Sequence, residues 1–352
     1  MKPLPAIAST DEHGVVPANL TPEYKAAEAA YRRARDSQER LELLREMLRT
    51  IPKHKGTEHL RADIKTRIKE LTSELSTRRT GARGGPHTVV RPEGAAQIAL
   101  LGAPNSGKST LHARLTGSHA QAGPYPFTTQ HPLPGMMPFK DTAFQLVDLP
   151  PLSSQHPIPW IANALHPADG CLLLIDLTDP DAVSAAVTIR ETLVTRRVVL
   201  SPSWPDRRPG LSEGEADLFT KTLPTVLAYA KIDLLADPED DVRTFVELTG
   251  LDHPSLRLSG ATGEGLDSLG RWLFDQLGVV RVYTKVPGEA ADRGRPYTLR
   301  HGQTVSDLAY QVHKDIGQAL KYARIWGSES FEGQQVGREH LLNDGDVIEL
   351  HV

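Results

Sequence analysis

A glycine-rich segment that ends in Lys-Ser carries the clearest chemistry in this sequence. Residues 102–109 read GAPNSGKS and match the pattern G-x-x-x-x-G-K-[ST] at every fixed position. An apolar run, QIALL, precedes the segment, and a helix-forming run, STLHARLTG, follows it. Backbone N–H groups of such a loop surround phosphates, while its lysine reaches the β- and γ-phosphates and its serine binds Mg²⁺. The sequence therefore predicts a nucleotide phosphate site built from Ala103, Pro104, Asn105, Ser106, Gly107, Lys108, Ser109 and Thr110. A glycine-rich turn with a surface lysine is the alternative, and the strand–loop–helix context argues against it.

Asn105 lies inside this loop and has a side-chain oxygen that can bind a cation. A monovalent ion such as K⁺, held there beside the phosphates, would place positive charge where the transition state gathers negative charge. The alternative is a loop asparagine that bonds only to its own backbone. One side chain does not make a complete coordination shell, so both interpretations stay open.

Two later segments supply further ligands for a metal and a γ-phosphate. Thr129, in the segment YPFTT, is the residue that we expect to close over Mg²⁺ and the γ-phosphate, with Thr128 as the second candidate. Asp148 ends an apolar strand and is expected to hold Mg²⁺ through water. The predicted metal ligands are thus Ser109, Thr129 and Asp148, and the predicted catalytic residues are Lys108, Asn105 and Thr129.

Two segments that also follow strands are candidates for binding the base of the nucleotide. Asp233, in AKID, can accept hydrogen bonds from the guanine ring N–H and amino group, which adenine does not offer together. The stem of Lys231 can cover the base plane. Ser259, Gly260 and Ala261 come after a further strand, where a backbone N–H can meet the guanine carbonyl. These two segments, the phosphate loop and the segments that contain Thr129 and Asp148 make five motifs. Their order along the chain predicts a site for GTP and GDP.

Two positions depart from the usual forms of these motifs. Pro151 stands where a glycine normally donates its N–H to the γ-phosphate, and proline has no N–H. Ala230 stands where an asparagine normally contacts the base and braces the phosphate loop. A water-positioning glutamine is also missing, since Leu152 follows Pro151. Each lost hydrogen bond costs about 1–2 kcal/mol, so we expect a modest affinity.

Three functions remain open at this point. The first is a slow GTPase switch in which water attacks the γ-phosphate in line, with segments 118–132 and 149–160 changing order. The second is a nucleotide-binding scaffold with no useful hydrolysis, which Pro151 and Ala230 favour. The third is an ATPase, since Ala230 relaxes the base pocket. His112, His119 and His131 also fall near the site, but in a chain with 14 histidines we interpret this proximity as coincidence rather than catalysis.

The elements around these segments predict the fold. Residues 95–278 alternate apolar strands with amphipathic helices, which is typical of a doubly wound, mostly parallel α/β sheet. Residues 1–20 form a loose tail, and apolar residues at helical spacing predict two long helices, packed as a hairpin, within 21–92. The sequence pattern changes again after about residue 280, which predicts a small domain of mixed strands and helix over 280–352.

Charge singles out the helical segment. Residues 20–85 hold 16 Lys or Arg against 10 Asp or Glu, a net charge of +6 in a chain whose total is −4. A basic segment of this kind can contact RNA phosphates, and the alternative is a solvated charged helix face. The single cysteine, Cys171, excludes an internal disulfide, and no apolar run is long enough to span a bilayer. These observations favour a cytoplasmic protein without a membrane segment.

The motifs together resemble the Obg-like GTPases, and most closely the developmentally regulated GTP-binding (DRG) type. The similar stretches are GAPNSGKSTL, YPFTTQHPLPG, DLPP, AKID, SGATGEGLD and IPKHKGTEHL. The segment 280–352 is similar to a TGS domain, which is a β-grasp module. The resemblance implies a P-loop GTPase domain between a helical hairpin and a β-grasp domain. It further implies hydrolysis stimulated by K⁺ at Asn105 and a role in the cytoplasm at or near the ribosome, with the hairpin and the TGS domain contacting RNA or a regulatory protein.

The C-terminal segment mixes basic and aromatic residues, a combination that suits RNA bases and phosphates. We assign Tyr322 and Trp326 instead to the core, because a small β-grasp domain needs aromatics to fill its interior. The basic residues are the better candidates for partner contact.

Overall fold

The computed structural model describes residues 20–34, 36–52, 57–80, 88–118, 131–153, 157–204, 219–327 and 330–352. The chain divides into two compact units, Met1–Gly85 and Pro86–Val352, which are described separately below. Within the described residues, no helix combines the length and the apolar character that crossing a membrane requires.

The first unit holds three helices in its described part: α1 (Pro22–Arg33), α2 (Ser37–Thr50) and α3 (Glu58–Thr80). Two helices were expected, and that prediction is wrong because the first helical segment is interrupted before Ser37 and forms two separate helices. The Asp36 carboxylate accepts hydrogen bonds from the backbone of Gln38 and Glu39, and it thereby caps a new helix. The apolar spacing continues across the break, so periodicity alone could not reveal it.

A large sheet forms the first part of the second unit. Its strands are β1 (Gln97–Gly102), β2 (Leu133–Phe139), β3 (Thr142–Asp148), β4 (Gly170–Asp176), β5 (Val198–Ser201), β6 (Lys221–Ala230) and β7 (Ser255–Arg257). They lie in the order β2-β3-β1-β4-β6-β5, with β7 also paired to β6. Only the pairing of β2 with β3 is antiparallel. The predicted doubly wound, mostly parallel α/β fold is confirmed.

Helices cover both faces of this sheet. They are α4 (Lys108–Thr116), α5 (Ile161–Leu165), α6 (Ala182–Thr195), α7 (Pro238–Thr249) and α8 (Leu266–Gln276). Neighbouring residues of a central strand enter opposite cores: Leu101 and Leu173 pack on one face, Leu100 and Leu172 on the other. Strands buried on both sides read as continuous apolar runs, which is why they were recognisable in the sequence. At one edge of the sheet, β2 carries prolines at 134 and 138.

A second sheet follows α8 after two residues. It consists of β8 (Val279–Thr284), β9 (Asp292–Arg300), β10 (Tyr322–Gly327), β11 (Ser330–Val336) and β12 (Val347–His351), in the order β11-β10-β12-β8-β9. Two short helices, α9 (Val305–Val312) and α10 (Lys314–Ala319), join β9 to β10.

The core of this small domain is aliphatic rather than aromatic. Its buried residues include Val280, Leu308, Ala323, Ile325 and Ile348. The assignment of Tyr322 and Trp326 to the core is wrong, because they alternate with Ala323 and Ile325 along β10 and therefore lie on the opposite face of the sheet. There the Tyr322 ring stacks on His351 at 4.4 Å between centroids, and the Lys285 ammonium lies 4.2 Å from the Trp326 ring centroid.

The two sheets of the second unit are joined at a hairpin turn. Asp141, between β2 and β3, pairs its Oδ1 with Arg281 Nη1 at 2.7 Å and accepts a hydrogen bond on Oδ2 from the Tyr283 hydroxyl. Arg281 also pairs with Asp344 of the same small domain. The first strand of the C-terminal domain is therefore fastened to the tip of the β2–β3 hairpin.

Candidate functional site

The loop between β1 and α4 turns tightly on glycines. A Cβ at Gly102 would lie 2.7 Å from the Leu174 carbonyl oxygen, so only glycine fits there. Gly107 has a φ of 91°, a left-handed conformation that glycine adopts without strain. Asn105, at φ 59°, is also left-handed, and its exposed position leaves the side-chain oxygen free to face a ligand. The loop starts helix α4 at Lys108, so its N–H groups lie at a helix N-terminus.

Lys108 is the positive charge at the centre of the loop. Its side chain is buried, and Nζ donates to the carbonyl oxygens of Gly102 at 3.1 Å and Ala103 at 2.7 Å. Burial lowers the pKa of Lys108 to about 8, against an opposing effect of Asp148. A bound phosphate would compensate this desolvation, so the lysine is prepared for an anion.

Ser109 and Asp148 are brought together from different elements. Ser109 Oγ, in the first turn of α4, donates to Asp148 Oδ2 at 2.6 Å, and Asp148 is fully buried at the end of β3. Two oxygen ligands next to a phosphate loop fit Mg²⁺, which keeps several waters and needs few protein ligands. The described residues contain no cluster of three or more His, Cys, Asp or Glu that could hold a metal by itself. Thr128 and Thr129 lie outside the described residues.

The predicted base-binding residues follow the ends of β6 and β7. Lys231 has a φ of 57° and precedes a 3-10 turn, Ile232–Leu234, on which Asp233 is exposed. The Lys231 ammonium pairs with Asp176 Oδ2 at 2.5 Å. Asp176 was not predicted from the sequence. The signal that could have identified it is a carboxylate at the end of a central strand, because ligands bind at that edge of a parallel sheet.

The 259–261 segment packs against the phosphate loop's helix. Ser259 is buried, and its Oγ accepts a hydrogen bond from Thr262 N at 3.1 Å. A Cβ at Gly260 would lie 3.2 Å from Thr110 Cγ2, so this segment touches α4. Ala261 is exposed. The structure thus brings all the described candidate residues to one edge of the sheet.

The two departures from the usual motifs also lie at this edge. Ala230 is buried, and its Cβ is 3.9 Å from the place where a Cβ on Gly107 would be. The position of the missing asparagine therefore faces the phosphate loop directly. Pro151 and Leu152 are buried, and Leu152 N donates to the Gly102 carbonyl oxygen at 3.2 Å.

His112 is a packing residue of α4. Its ring is fully buried, with Nε2 3.3 Å from the Leu146 carbonyl oxygen and Nδ1 3.2 Å from Ser118 Oγ. Burial lowers the pKa of His112, which favours the neutral ring. His131 is exposed, and His119 lies outside the described residues.

Comparison with known families defines the class of this protein. A family model of 50S ribosome-binding GTPases matches residues 97–200, and a TGS-domain model matches residues 280–352. Together with the parallel sheet and the loop before α4, these matches show a P-loop GTPase domain followed by a C-terminal TGS domain.

Relatives along most of the chain make the type more specific. The chain is 28% identical to developmentally-regulated GTP-binding protein 1 of Xenopus laevis over 358 residues, covering 88% of this chain and 97% of that protein. It is 28% identical to developmentally-regulated G-protein 1 of Arabidopsis thaliana over 359 residues, covering 88% and 89%. The predicted resemblance to Obg-like GTPases of the DRG type, with a TGS domain, is confirmed.

A solved structure shares the fold over a large part of the chain. The YchF GTPase of Schizosaccharomyces pombe aligns with a TM-score of 0.50 at 12% identity, over 76% of this chain and 100% of that one. At this identity the likeness concerns the fold alone.

Proposed function

We propose that the protein binds GTP and hydrolyses it to GDP and phosphate as a slow molecular switch. One observation carries this proposal: the strands β1, β3, β6 and β7 end at the same edge of a parallel sheet, and the phosphate loop, Asp148, Asp233 and Ser259 follow those ends. Ligands of open α/β sheets bind at this edge. The DRG-type relatives support guanine as the base.

The residues of the site have separate tasks in this reaction. The N–H groups of the loop and the Lys108 ammonium hold the β- and γ-phosphates and stabilise the charge that develops as water attacks in line. Ser109 and Asp148 would hold Mg²⁺, which when bound would supply additional positive charge at these phosphates. Asp233 selects guanine, and Lys231 covers the base. We expect Thr129 to complete the site and Asn105 to favour K⁺.

The rate should be low for two reasons. Pro151 has no N–H to donate to the γ-phosphate. Leu152 has an apolar side chain, and its own N–H is committed to Gly102. Hydrolysis therefore relies on electrostatic stabilisation more than on a side chain that orients the attacking water.

We propose that the β2–β3 hairpin transmits the state of the bound nucleotide to a partner. It runs from the end of the predicted switch segment 118–132 to Asp148, and its turn is bonded to the TGS domain through Asp141. If loss of the γ-phosphate moves the hairpin, that movement would therefore be passed on to the TGS domain. We propose that this domain and the basic helices 22–80 contact RNA, the ribosome or a regulatory protein in the cytoplasm.

Single-turnover hydrolysis of GTP by the full chain tests this function. We expect phosphate release above that of Lys108→Ala, faster in KCl than in NaCl, and competition by GDP but not by ATP. Equal rates in both salts would remove the K⁺ proposal only. Strong competition by ATP would show that Asp233 does not select the base.

A nucleotide-dependent scaffold is the second candidate, which Pro151, without an N–H, and Ala230, without a polar side-chain atom, favour. It predicts GTP binding with a hydrolysis rate equal to that of Lys108→Ala, with or without ribosomes. Comparing the GTP hydrolysis rates of the wild type and of Lys108→Ala therefore distinguishes the two candidate functions.

A further inference from the structure

The base side of the site lacks a brace that the sequence motif normally provides. Ala230 faces Gly107 of the phosphate loop, but its methyl side chain has no polar atom that could bond to the loop or to the base. Lys231, the next residue, has a left-handed backbone at φ 57° and a long side chain that is 36% exposed. Holding such a flexible side chain across a base costs rotamer entropy, and a fixed partner for its ammonium group lowers that cost.

Asp176 provides that fixed point from the neighbouring strand. It is the register partner of Ala230 in the parallel pair β4–β6, so its side chain lies next to the residue that starts the base-binding turn. Its Oδ2 accepts a hydrogen bond from Lys231 Nζ at 2.5 Å. The carboxylate is only 8% exposed, against 36% for its partner, so solvent screens this ion pair less than a surface pair.

The Asp176 carboxylate is itself held in place. Its Oδ1 accepts hydrogen bonds from Thr178 N at 3.0 Å and from Thr178 Oγ1 at 2.6 Å. Both oxygens are therefore occupied by donors in fixed directions, and the group cannot turn away from Lys231 without losing three hydrogen bonds.

We propose that Asp176 is a positioning residue of the guanine pocket, which fixes Lys231 across the base plane and replaces the brace that an asparagine at position 230 would give. This inference rests on the proposed binding of GTP and GDP. Asp176 does not touch the nucleotide and acts through Lys231. It therefore affects the diphosphate and the triphosphate equally and leaves the hydrolytic step unchanged.

The first test compares Asp176→Asn with Asp181→Asn in the full chain. Asp181 is an exposed carboxylate of the same loop whose side chain makes no capping hydrogen bond, so its variant controls for the loss of one negative charge. Dissociation constants for GDP and for a non-hydrolysable GTP analogue are measured by titration calorimetry, and KM and kcat by phosphate release. The melting temperature of the nucleotide-free protein is measured in parallel.

We expect Asp176→Asn to weaken both nucleotides about tenfold and to raise KM by a similar factor, because a charge-assisted hydrogen bond is lost. We expect kcat to stay within about twofold and Asp181→Asn to bind like the wild type. Wild-type affinity in Asp176→Asn would overturn the inference, and so would a variant whose only change is a lower melting temperature. A wild-type protein that binds no GDP would instead refute the proposed function itself.

The second test asks whether asparagine at position 230 makes the brace redundant. Ala230→Asn restores the polar group that faces Gly107, and we expect GDP to bind about tenfold more tightly to this variant. In that background, Asp176→Asn should cost only about two- to threefold, because the introduced amide then braces the base side of the site alongside Lys231. An equal cost in both backgrounds would show that Asp176 does not replace the missing asparagine.

Discussion

The Asp141 carboxylate accepts a hydrogen bond from the Tyr283 hydroxyl, which joins two domains across 142 positions of the chain. Arg281 pairs with the other oxygen of Asp141, and it also pairs with Asp344 within the TGS domain. One side chain at a hairpin turn therefore fastens the TGS domain to the strands that flank the nucleotide site.

This junction should weaken in acid. Burial alone would raise the pKa of Asp141, but hydrogen bonds from Tyr283 and Arg281 outweigh it and lower the pKa below its ordinary value. A carboxyl group with a lowered folded-state pKa contributes stability that is fully present above the unfolded pKa of about 4 and is lost as the pH falls through the folded value. We predict that Asp141→Asn destabilises the protein by about 1 kcal/mol at pH 7 and by less at pH 3.5.

Urea unfolding of the full chain, followed by tryptophan fluorescence at both pH values, measures the effect of Asp141→Asn. Asp252→Asn, which changes an exposed carboxylate of the same unit, serves as control. A loss of stability that is the same at pH 7 and pH 3.5 would contradict the role of the ionised carboxylate.

GDP affinity should fall at alkaline pH. Burial lowers the pKa of Lys108 to about 8, whereas a bound phosphate favours the charged form. Above pH 8 the free protein must therefore take up a proton when it binds, and affinity should drop by up to about tenfold per pH unit. Calorimetry in buffers of different ionisation enthalpy checks this by counting the protons bound at pH 9. An enthalpy that does not depend on the buffer would disprove the linkage.

Pro151→Gly should shift the preference of the site toward GTP. Glycine restores an N–H at the position where the related motif donates to the γ-phosphate, while the β-phosphate contacts stay unchanged. We expect the affinity for a GTP analogue, relative to GDP, to increase about three- to tenfold. Pro150→Gly loosens the same segment without adding this donor at the same place, so its ratio should remain that of the wild type. An identical ratio in all three proteins would count against a γ-phosphate contact at position 151.

Gly170 is a packing position whose substitution should destabilise the second unit. A Cβ there would lie 2.6 Å from Trp204 Cη2, and the Trp204 ring is held edge-on by Trp272 at 4.8 Å. We predict that Gly170→Ala costs about 1–3 kcal/mol through overpacking. Gly337→Ala is the matched control, because a Cβ at Gly337 meets no atom within 4 Å. Chemical denaturation of the three proteins measures the difference, and equal stability of the two variants would refute the packing argument.

The sequence was most informative where a short segment determines its own geometry. The loop around Lys108, and Asp148 at the end of an apolar strand, were predictable because glycine placement and continuous apolar runs have direct structural meanings. Asp176 and Asp141 were not predictable, since their partners are distant in the chain and depend on strand register and on how two domains meet. The outward position of Trp326 was missed for a related reason: alternation along β10 tells which residues share a face, but not which face is buried.

The prolines at positions 134 and 138 of β2 have a consequence beyond the site. Proline lacks the donor that a new strand would need, and β2 forms the rim of the large sheet. A neighbouring molecule therefore meets an interrupted row of donors at this rim, and the sheet resists extension into intermolecular aggregates.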